Sequence, residues 1–142
     1  MHCMIRLRDV IPEDLSFIHA LNQAARPAVN GVAPADMDWF ARHAVYFRVA
    51  ENGDALAGFL IGLGPGLEYA SENYRWFIAR FDSFVYIDRV VVDVAHQGRG
   101  IGRLFYDDLA RFARSTGTPR LICEVNTRPR NCLLYTSDAA DE

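Results

Sequence analysis

The stretch Gln97-Gly98-Arg99-Gly100-Ile101-Gly102 decides the fold because of what lies on either side of it. The mostly apolar run Val85–Val92 before it is typical of a buried strand. After it, apolar residues recur at the spacing of one helix face, namely Ile101, Leu104, Phe105, Leu109 and Phe112. A glycine-rich turn between a strand and a helix favours phosphate binding, because the backbone can approach closely and free N–H groups point outward at the positive end of the helix dipole. The sequence therefore predicts a phosphorylated cofactor at this turn.

Two well-known phosphate loops fit this turn poorly. A P-loop requires Gly-Lys followed by Ser or Thr, and the chain contains no lysine, which excludes that class. The dinucleotide-binding fingerprint requires a third glycine where this chain has Arg103, although Glu124 lies about 20 residues further on, where that fingerprint places its ribose-binding acid. A partial dinucleotide fingerprint and an ordinary glycine-rich turn without a ligand both stay open as alternatives.

A third pattern, Gln/Arg-x-x-Gly-x-Gly/Ala after a strand that ends in Val, is matched by Gln97, Gly100 and Gly102, with Val92 in the strand position. In this motif and its context the chain resembles the GNAT acetyltransferase superfamily, whose loop of this kind holds the pyrophosphate of acetyl-CoA. The resemblance implies that acetyl-CoA is the acyl donor and that no metal is needed. It also implies two sets of cofactor-binding residues. Backbone N–H groups of Gln97, Gly98, Arg99, Gly100, Ile101 and Gly102 would hold the pyrophosphate, and the backbone of Val90, Val91 and Val92 would face the pantetheine arm and the thioester carbonyl.

The remaining elements are predicted in the order β-α-α-β-β-β-α-β, which is that of the first five strands of a GNAT domain. We expect strands at 3–10, 47–50, 55–63, 84–92 and 120–125 and helices that begin at Pro12, Pro34 and Gly100. Asn52-Gly53 is a strong hairpin signal between the second and third strands. The fold class is therefore α/β (α+β mixed), with three layers around a central mixed sheet. Residues 67–83 are predicted to be an aromatic-rich connection, and the last helix and two strands of the family are missing.

The end of the chain differs in character from the rest. Cys132-Leu133-Leu134-Tyr135-Thr136-Ser137 and the Asp-Ala-Ala-Asp-Glu that follows match a translated sequencing adapter. We therefore expect residues 1–131 to be an incomplete GNAT-type domain and residues 132–142 to be an artefactual tail, with a genuine polar C-terminus as the alternative. In the family the missing helix often follows an Asn-x-x-Ala-x-x-x-Tyr pattern. Asn131 stands where that asparagine would be, so the resemblance adds it to the cofactor-binding candidates.

Composition limits the class of protein and its partners. A chain of 142 residues with 51% hydrophobic and 23% charged residues is typical of one soluble globular domain. The formal net charge of −3 falls to zero without residues 132–142, so no basic nucleic-acid surface is expected. The three cysteines are not spaced for a disulfide framework or a metal site, which favours a reducing compartment. With no secretory or membrane-spanning run, we expect a cytoplasmic protein without a membrane partner.

Asp88 is the candidate catalytic base, because it lies four residues before Val92, where members of the family often carry an acidic residue. Strand alternation predicts that Asp88 shares a face with Phe84, Tyr86, Val90 and Val92. A carboxylate in a mostly apolar strand is costly unless it is paired. The alternative role is thus an ion pair with an arginine that stabilises the sheet. Aspartate is also shorter than the usual glutamate, so proton transfer from an amine would need a bridging water.

The acceptor side is less clear from the sequence. In the family it is built from the first two helices and the loop before the fourth strand, where this chain has Asn22, Arg26, Asn30, Tyr69, Tyr74, Arg75 and Trp76. Arginines would pair with an acidic acceptor and aromatic rings would stack on a ring or cover a cationic amine, whereas the simpler alternative is core aromatics and solvated arginines. The predicted function is direct acetyl transfer to a primary amine of a small molecule or of a protein N-terminus or side chain. A non-catalytic acyl-CoA-binding module or sensor and a dinucleotide-binding domain are the alternatives, and an exposed sheet edge favours a homodimer.

Overall fold

A six-stranded mixed sheet is the centre of the fold in the computed structural model of the chain, which describes residues 5–124 and 131–136. Short 3-10 turns lie at Pro12–Asp14 and Val94–His96. The helices and strands in chain order are β1 (Ile5–Asp9), α1 (Leu15–Ala24), α2 (Pro34–His43), β2 (Tyr46–Asn52), β3 (Ala55–Leu63), α3 (Glu72–Ile78), β4 (Val85–Val92), α4 (Ile101–Ser115), β5 (Arg120–Glu124) and β6 (Asn131–Thr136).

The strands follow one another across the sheet in sequence order. All neighbours are antiparallel except β4 and β5, which are parallel and are joined by the crossover through α4. The hairpin predicted at Asn52-Gly53 is present, and Gly53 has a φ of +62° there, a left-handed conformation that glycine adopts without strain. The predicted mixed sheet and the predicted order of the first five strands are confirmed.

Helices cover both faces of the sheet and complete the three layers. On one face, α1, α2 and α3 contribute Ile18, Phe40 and Tyr74 to a core with Phe59 and Tyr86 of the strands. On the other face, α4 buries one stripe of residues, Ile101, Phe105, Leu109 and Ala113, against Leu60, Val85, Ile87 and Leu121. The spacing of that stripe is the helical period seen in the sequence. Both faces of β3 and β4 are therefore buried, which explains why these strands are almost continuously apolar.

Two elements lie where the sequence predicted none. Residues 72–78 form the helix α3 inside the aromatic-rich connection, and the Ser71 hydroxyl caps it by accepting a hydrogen bond from the Tyr74 N–H at 3.2 Å. Residues 131–136 form β6, which pairs antiparallel with β5. Asn131 is thus in a strand opposite Glu124, rather than at the start of a helix. Within the expected tail, residues 137–142 lie outside the described residues.

Candidate active site

The loop between β4 and α4 has the backbone conformation of an anion-binding turn. Gly98 and Gly100 have φ values of +82° and +77°, a left-handed region that non-glycine residues enter only with strain. Gly100 is the N-cap of α4, and its carbonyl accepts the hydrogen bond of the Leu104 N–H at 3.0 Å. The helix therefore begins directly after the glycine, and the first N–H groups of α4 have no partner within the helix.

The same loop has room for a ligand. A Cβ placed on Gly98, Gly100 or Gly102 would meet no other protein atom within 4 Å. Packing inside the protein therefore gives no reason for glycine at position 102, where the cost relative to alanine in a helix is about 1 kcal/mol. Open space in front of N–H donors at a helix N-terminus fits a phosphate group.

Next to this loop, β4 has an open edge. Pairing between β4 and β5 covers three residues, from Val85 opposite Leu121 to Ile87 opposite Cys123, whereas β4 continues to Val92. The Asp93 N–H donates to the Ala57 carbonyl of β3 at 2.8 Å.

Because successive residues of an antiparallel strand direct their backbone groups to opposite sides, Val90 and Val92 direct theirs away from β3. The Val92 carbonyl accepts a hydrogen bond from the Gln97 side chain at 3.3 Å. The Val91 carbonyl instead faces β3, since it lies 2.5 Å from the position of a Cβ on Gly58. Of the three candidate valines, Val90 and Val92 are thus at the open edge.

A β-bulge in β4 changes which side chains share a face. Arg89 lies opposite Ile61 and Ile87 opposite Gly62, so Asp88 is the extra residue. The bulge shifts the alternation by one position, and the side chains of Val90 and Val92 pack with the cluster under α4, whereas Phe84 and Tyr86 pack with the cluster under α1 and α2. The prediction that Asp88 shares a face with Val90 and Val92 is therefore wrong.

Asp88 is at the centre of a buried polar network. Its Oδ1 accepts a hydrogen bond from the Tyr69 hydroxyl at 2.6 Å, and its Oδ2 accepts one from Arg89 Nε at 2.7 Å. The side chains of Asp88 and Arg89 are 6% and 3% exposed. Arg89 also donates to the amide oxygen of Asn22 at 2.9 Å and to that of Asn30 at 3.0 Å. The ion pair that the sequence left open as an alternative is present, and its arginine is the next residue in the strand.

Tyr69 is held in place by its ring as well as by its hydroxyl. The ring stacks on Trp39 with centroids 5.6 Å apart and an interplanar angle of 16°, and Trp39 stacks in turn on His43 at 4.6 Å. Burial raises the pKa of the Tyr69 phenol far above its ordinary value, and the negative charge of Asp88 raises it further. The phenol therefore keeps its proton and donates it to Asp88 in a hydrogen bond.

Two cavities meet at this network. The first, of about 540 Å³, extends from the open edge of β4 across the bulge, and its lining includes Ile87, Asp88, Val90, Tyr106 and Cys123. The second, of about 470 Å³, opens beside α2. Asn30, Tyr69, Ser71 and Arg89 line both. The first cavity therefore reaches Asp88 from the open edge of β4, and the second reaches its hydrogen-bond partners Tyr69 and Arg89 from the side of α2.

The structure separates the acceptor-side candidates into two groups. Asn30 and Tyr69 line the cavities, and the buried amide oxygen of Asn22 accepts a hydrogen bond from Arg89. Tyr74 belongs to the core, where its hydroxyl donates to the Gly64 carbonyl at 2.6 Å, and Trp76 is 43% exposed on the surface. Sequence reasoning missed Arg89, although an arginine beside an aspartate in an apolar strand was a visible signal.

Two negative findings concern only the described residues. Residues 5–124 and 131–136 contain no group of three or more His, Cys, Asp or Glu side chains arranged to hold a metal ion. In the same part of the chain, no helix has both the length and the apolar character needed to cross a membrane.

Comparison with known proteins identifies the class. The model of the acetyltransferase (GNAT) family matches residues 15–137, which is most of the chain. The chain therefore belongs to the acetyltransferase (GNAT) family, and it is an acetyl-CoA-dependent N-acetyltransferase. The phosphate-loop geometry fits this assignment, since the glycines and N–H groups described above suit the pyrophosphate of acetyl-CoA. A comparison with curated proteins found no match.

Solved structures share the fold at low sequence identity. The ribosomal-protein-S18-alanine N-acetyltransferase from Escherichia coli superposes with a TM-score of 0.67 at 15% identity, covering 88% of this chain and 69% of that one. A GNAT family acetyltransferase from Brucella melitensis in complex with acetyl-CoA gives 0.64 at 18% identity, covering 94% and 90%. Arabidopsis thaliana NAA60 in complex with a bisubstrate analogue gives 0.68 at 16% identity, covering 89% and 78%.

Proposed function

We propose that acetyl-CoA binds along the open edge of β4, with its pyrophosphate on residues 97–102, and that a primary amine reaches Asp88 through the second cavity. The observation that carries this proposal is the succession of three features along β4 and the loop that follows it. They are a buried carboxylate that lines the first cavity, an unpaired strand edge beside it and a left-handed glycine loop. When bound, acetyl-CoA supplies an activated thioester carbonyl.

The chain's own contribution to the donor is positioning. The N–H groups of Gln97, Gly98, Arg99, Gly100, Ile101 and Gly102 are the proposed pyrophosphate ligands, as the family pattern implies. The backbone groups of Val90 and Val92 are directed at the open edge, where an extended pantetheine arm would add like a further strand. A backbone N–H at that edge would stabilise the oxygen of the thioester carbonyl as negative charge develops on it.

Asp88 is proposed to accept the proton that the attacking amine must lose. Each carboxylate oxygen has two acceptor lone pairs, so the hydrogen bonds from Tyr69 and Arg89 leave one position on each oxygen. A water between Asp88 and the amine would carry the proton, since aspartate is short. Holding the carboxylate in a buried network fixes its direction, and general-base catalysis of this kind contributes about 10²- to 10⁴-fold to the rate.

The acceptor is proposed to be a small-molecule amine or a protein N-terminus or side chain, and the enzyme is proposed to act in the cytoplasm. The compartment is supported by the spacing of the three cysteines, which does not suit a disulfide framework. A second copy of the chain is a proposed partner, because β1 is an edge strand of the sheet. Light scattering at two protein concentrations tests the dimer.

Titration calorimetry with CoA and with NAD, followed by thiol release from acetyl-CoA in the presence of amines, tests the proposal. We expect micromolar CoA binding, no NAD binding and amine-dependent thiol release. CoA binding without release of thiol for any amine would instead favour an acyl-CoA-binding module. NAD binding in preference to CoA would overturn the proposed ligand.

We propose, on the residue match to an adapter alone, that the GNAT domain of the source gene continues after Asn131 with sequence different from residues 132–142. Reading the source DNA beyond codon 131 tests this. A genomic reading frame that encodes Cys132-Leu133-Leu134-Tyr135 would refute it.

A further inference from the structure

The charge of the second cavity distinguishes between kinds of acceptor. Its lining includes two carboxylates, Asp36 and Glu68, and one cation, Arg89. Arg89 is paired with the carboxylate of Asp88, and its other N–H groups already donate to Asn22 and Asn30, so it offers little attraction to an anion. The net charge of the side chains that line the second cavity is therefore negative.

Glu68 is the carboxylate of this pair that is free to meet a ligand. It is exposed at the cavity wall and makes no hydrogen bond or ion pair with another residue that the structure describes. Asp36 is partly engaged, because its Oδ2 accepts the N–H of Ala33 at 2.8 Å at the start of α2. Glu68 directly precedes Tyr69, whose hydroxyl contacts Asp88 at 2.6 Å, so one tyrosine side chain separates the outer carboxylate from the proposed base.

We infer that the preferred acceptor is a primary amine that carries a second positive charge a few bonds away, held by Glu68 and Asp36 while the reacting amine lies near Asp88. This inference rests on the proposed function, because it assigns the second cavity to the acceptor. An acceptor with a carboxylate near its amine is disfavoured at the same place by repulsion.

Neither Arg26 nor Arg75, the two arginines considered from the sequence, lines the second cavity, so the net charge of its lining stays negative. Arg26 lines a third cavity, which shares Asn30 and Gly31 with the second, and its Nε donates to the Gln23 carbonyl at 3.0 Å. Arg75 lines none of the three cavities. The aromatic wall formed by Trp39 and Tyr69 is uncharged and packs alongside the methylene chain of a diamine. Together, an apolar wall and an outer pair of carboxylates match a short aliphatic chain with a cation at each end.

Three acceptors with four carbons each test the inference: 1,4-diaminobutane, butylamine and 4-aminobutyrate, whose far ends are a cation, an uncharged methyl group and a carboxylate. We expect kcat/KM for acetyl transfer to be about five- to tenfold higher for the diamine than for butylamine, and lowest for the amino acid. Raising the salt concentration to about 0.5 M shrinks the difference, because exposed charges are screened over a few ångströms at that ionic strength.

The variant Glu68→Gln removes the charge with almost no change in shape. We expect it to lower the ratio of kcat/KM for the diamine to kcat/KM for butylamine about threefold, because the second positive charge loses one of its two carboxylates. Glu72→Gln is the matched control, because Glu72 is an exposed carboxylate four residues further on that lines none of the cavities. It leaves the ratio at the wild-type value.

Binding of the diamine by calorimetry, in the presence of CoA, separates this inference from the proposed function. If no amine is acetylated but the wild type binds 1,4-diaminobutane more tightly than Glu68→Gln does, the charge assignment holds and the transferase proposal fails. If amines are acetylated and the three acceptors are used equally, or 4-aminobutyrate is preferred, the inference is overturned while the transferase proposal stands.

Discussion

Replacing Gly100 by alanine separates what the phosphate loop does for folding from what it does for binding. Gly100 has a φ of +77° and Gly117, just after the other end of α4, has a φ of +70°. Neither would meet a protein atom within 4 Å on gaining a Cβ. The two substitutions therefore carry the same penalty, about 1 kcal/mol of unfolding free energy for a non-glycine residue in the left-handed region. Only the Cβ at position 100 would enter the space proposed for the pyrophosphate.

The expected loss of CoA affinity follows from the hydrogen bonds that the loop's backbone N–H groups would make to the pyrophosphate. A hydrogen bond from a backbone N–H to a charged oxygen contributes about 1.5–3 kcal/mol, which corresponds to about a ten- to hundredfold change in Kd. We expect Gly100→Ala to weaken CoA binding by that factor and Gly117→Ala to leave it unchanged, although urea denaturation finds both equally destabilised. Calorimetric titration with CoA makes the comparison. Equal CoA affinities for the two variants would refute the assignment of the loop.

Three other predictions concern the network and the core. Asp88→Asn should lower kcat by at least about a hundredfold with little change in CoA affinity, and wild-type turnover of this variant across pH would exclude the base role. Tyr74→Phe should cost about 1–3 kcal/mol in urea denaturation, because the buried Gly64 carbonyl and Leu67 N–H lose their shared hydroxyl partner. Burial raises the pKa of Asp14, but hydrogen bonds from Arg8 and from the Ile11 N–H lower it to a value below the ordinary one. A lowered pKa stabilises the fold above the unfolded-state pKa of about 4, so stability should fall as the pH drops below that value, and Asp14→Asn should show a flatter acid limb in pH-dependent denaturation.

The sequence by itself determined the features that depend on local chemistry. Glycine at 98 and 100 permits left-handed backbone, and the helical spacing of apolar residues from Ile101 to Phe112 predicts a helix that begins beside them. Because these are properties of neighbouring residues, the turn between β4 and α4 and the order of the first five strands were predictable from the printed sequence.

Only the tertiary structure decided what surrounds Asp88. The alternation rule failed there because a bulge opposite Ile61 and Gly62 adds one residue to β4, and a one-residue shift reverses the face of every side chain that follows. The partners of Asp88 and Arg89 come from α1, from the loop after it and from the segment before α3. Contacts between such distant segments have no periodic signature in the sequence. They arise from packing, which brings the Tyr69 ring onto Trp39 in the wall of the second cavity and the Tyr69 hydroxyl onto Asp88.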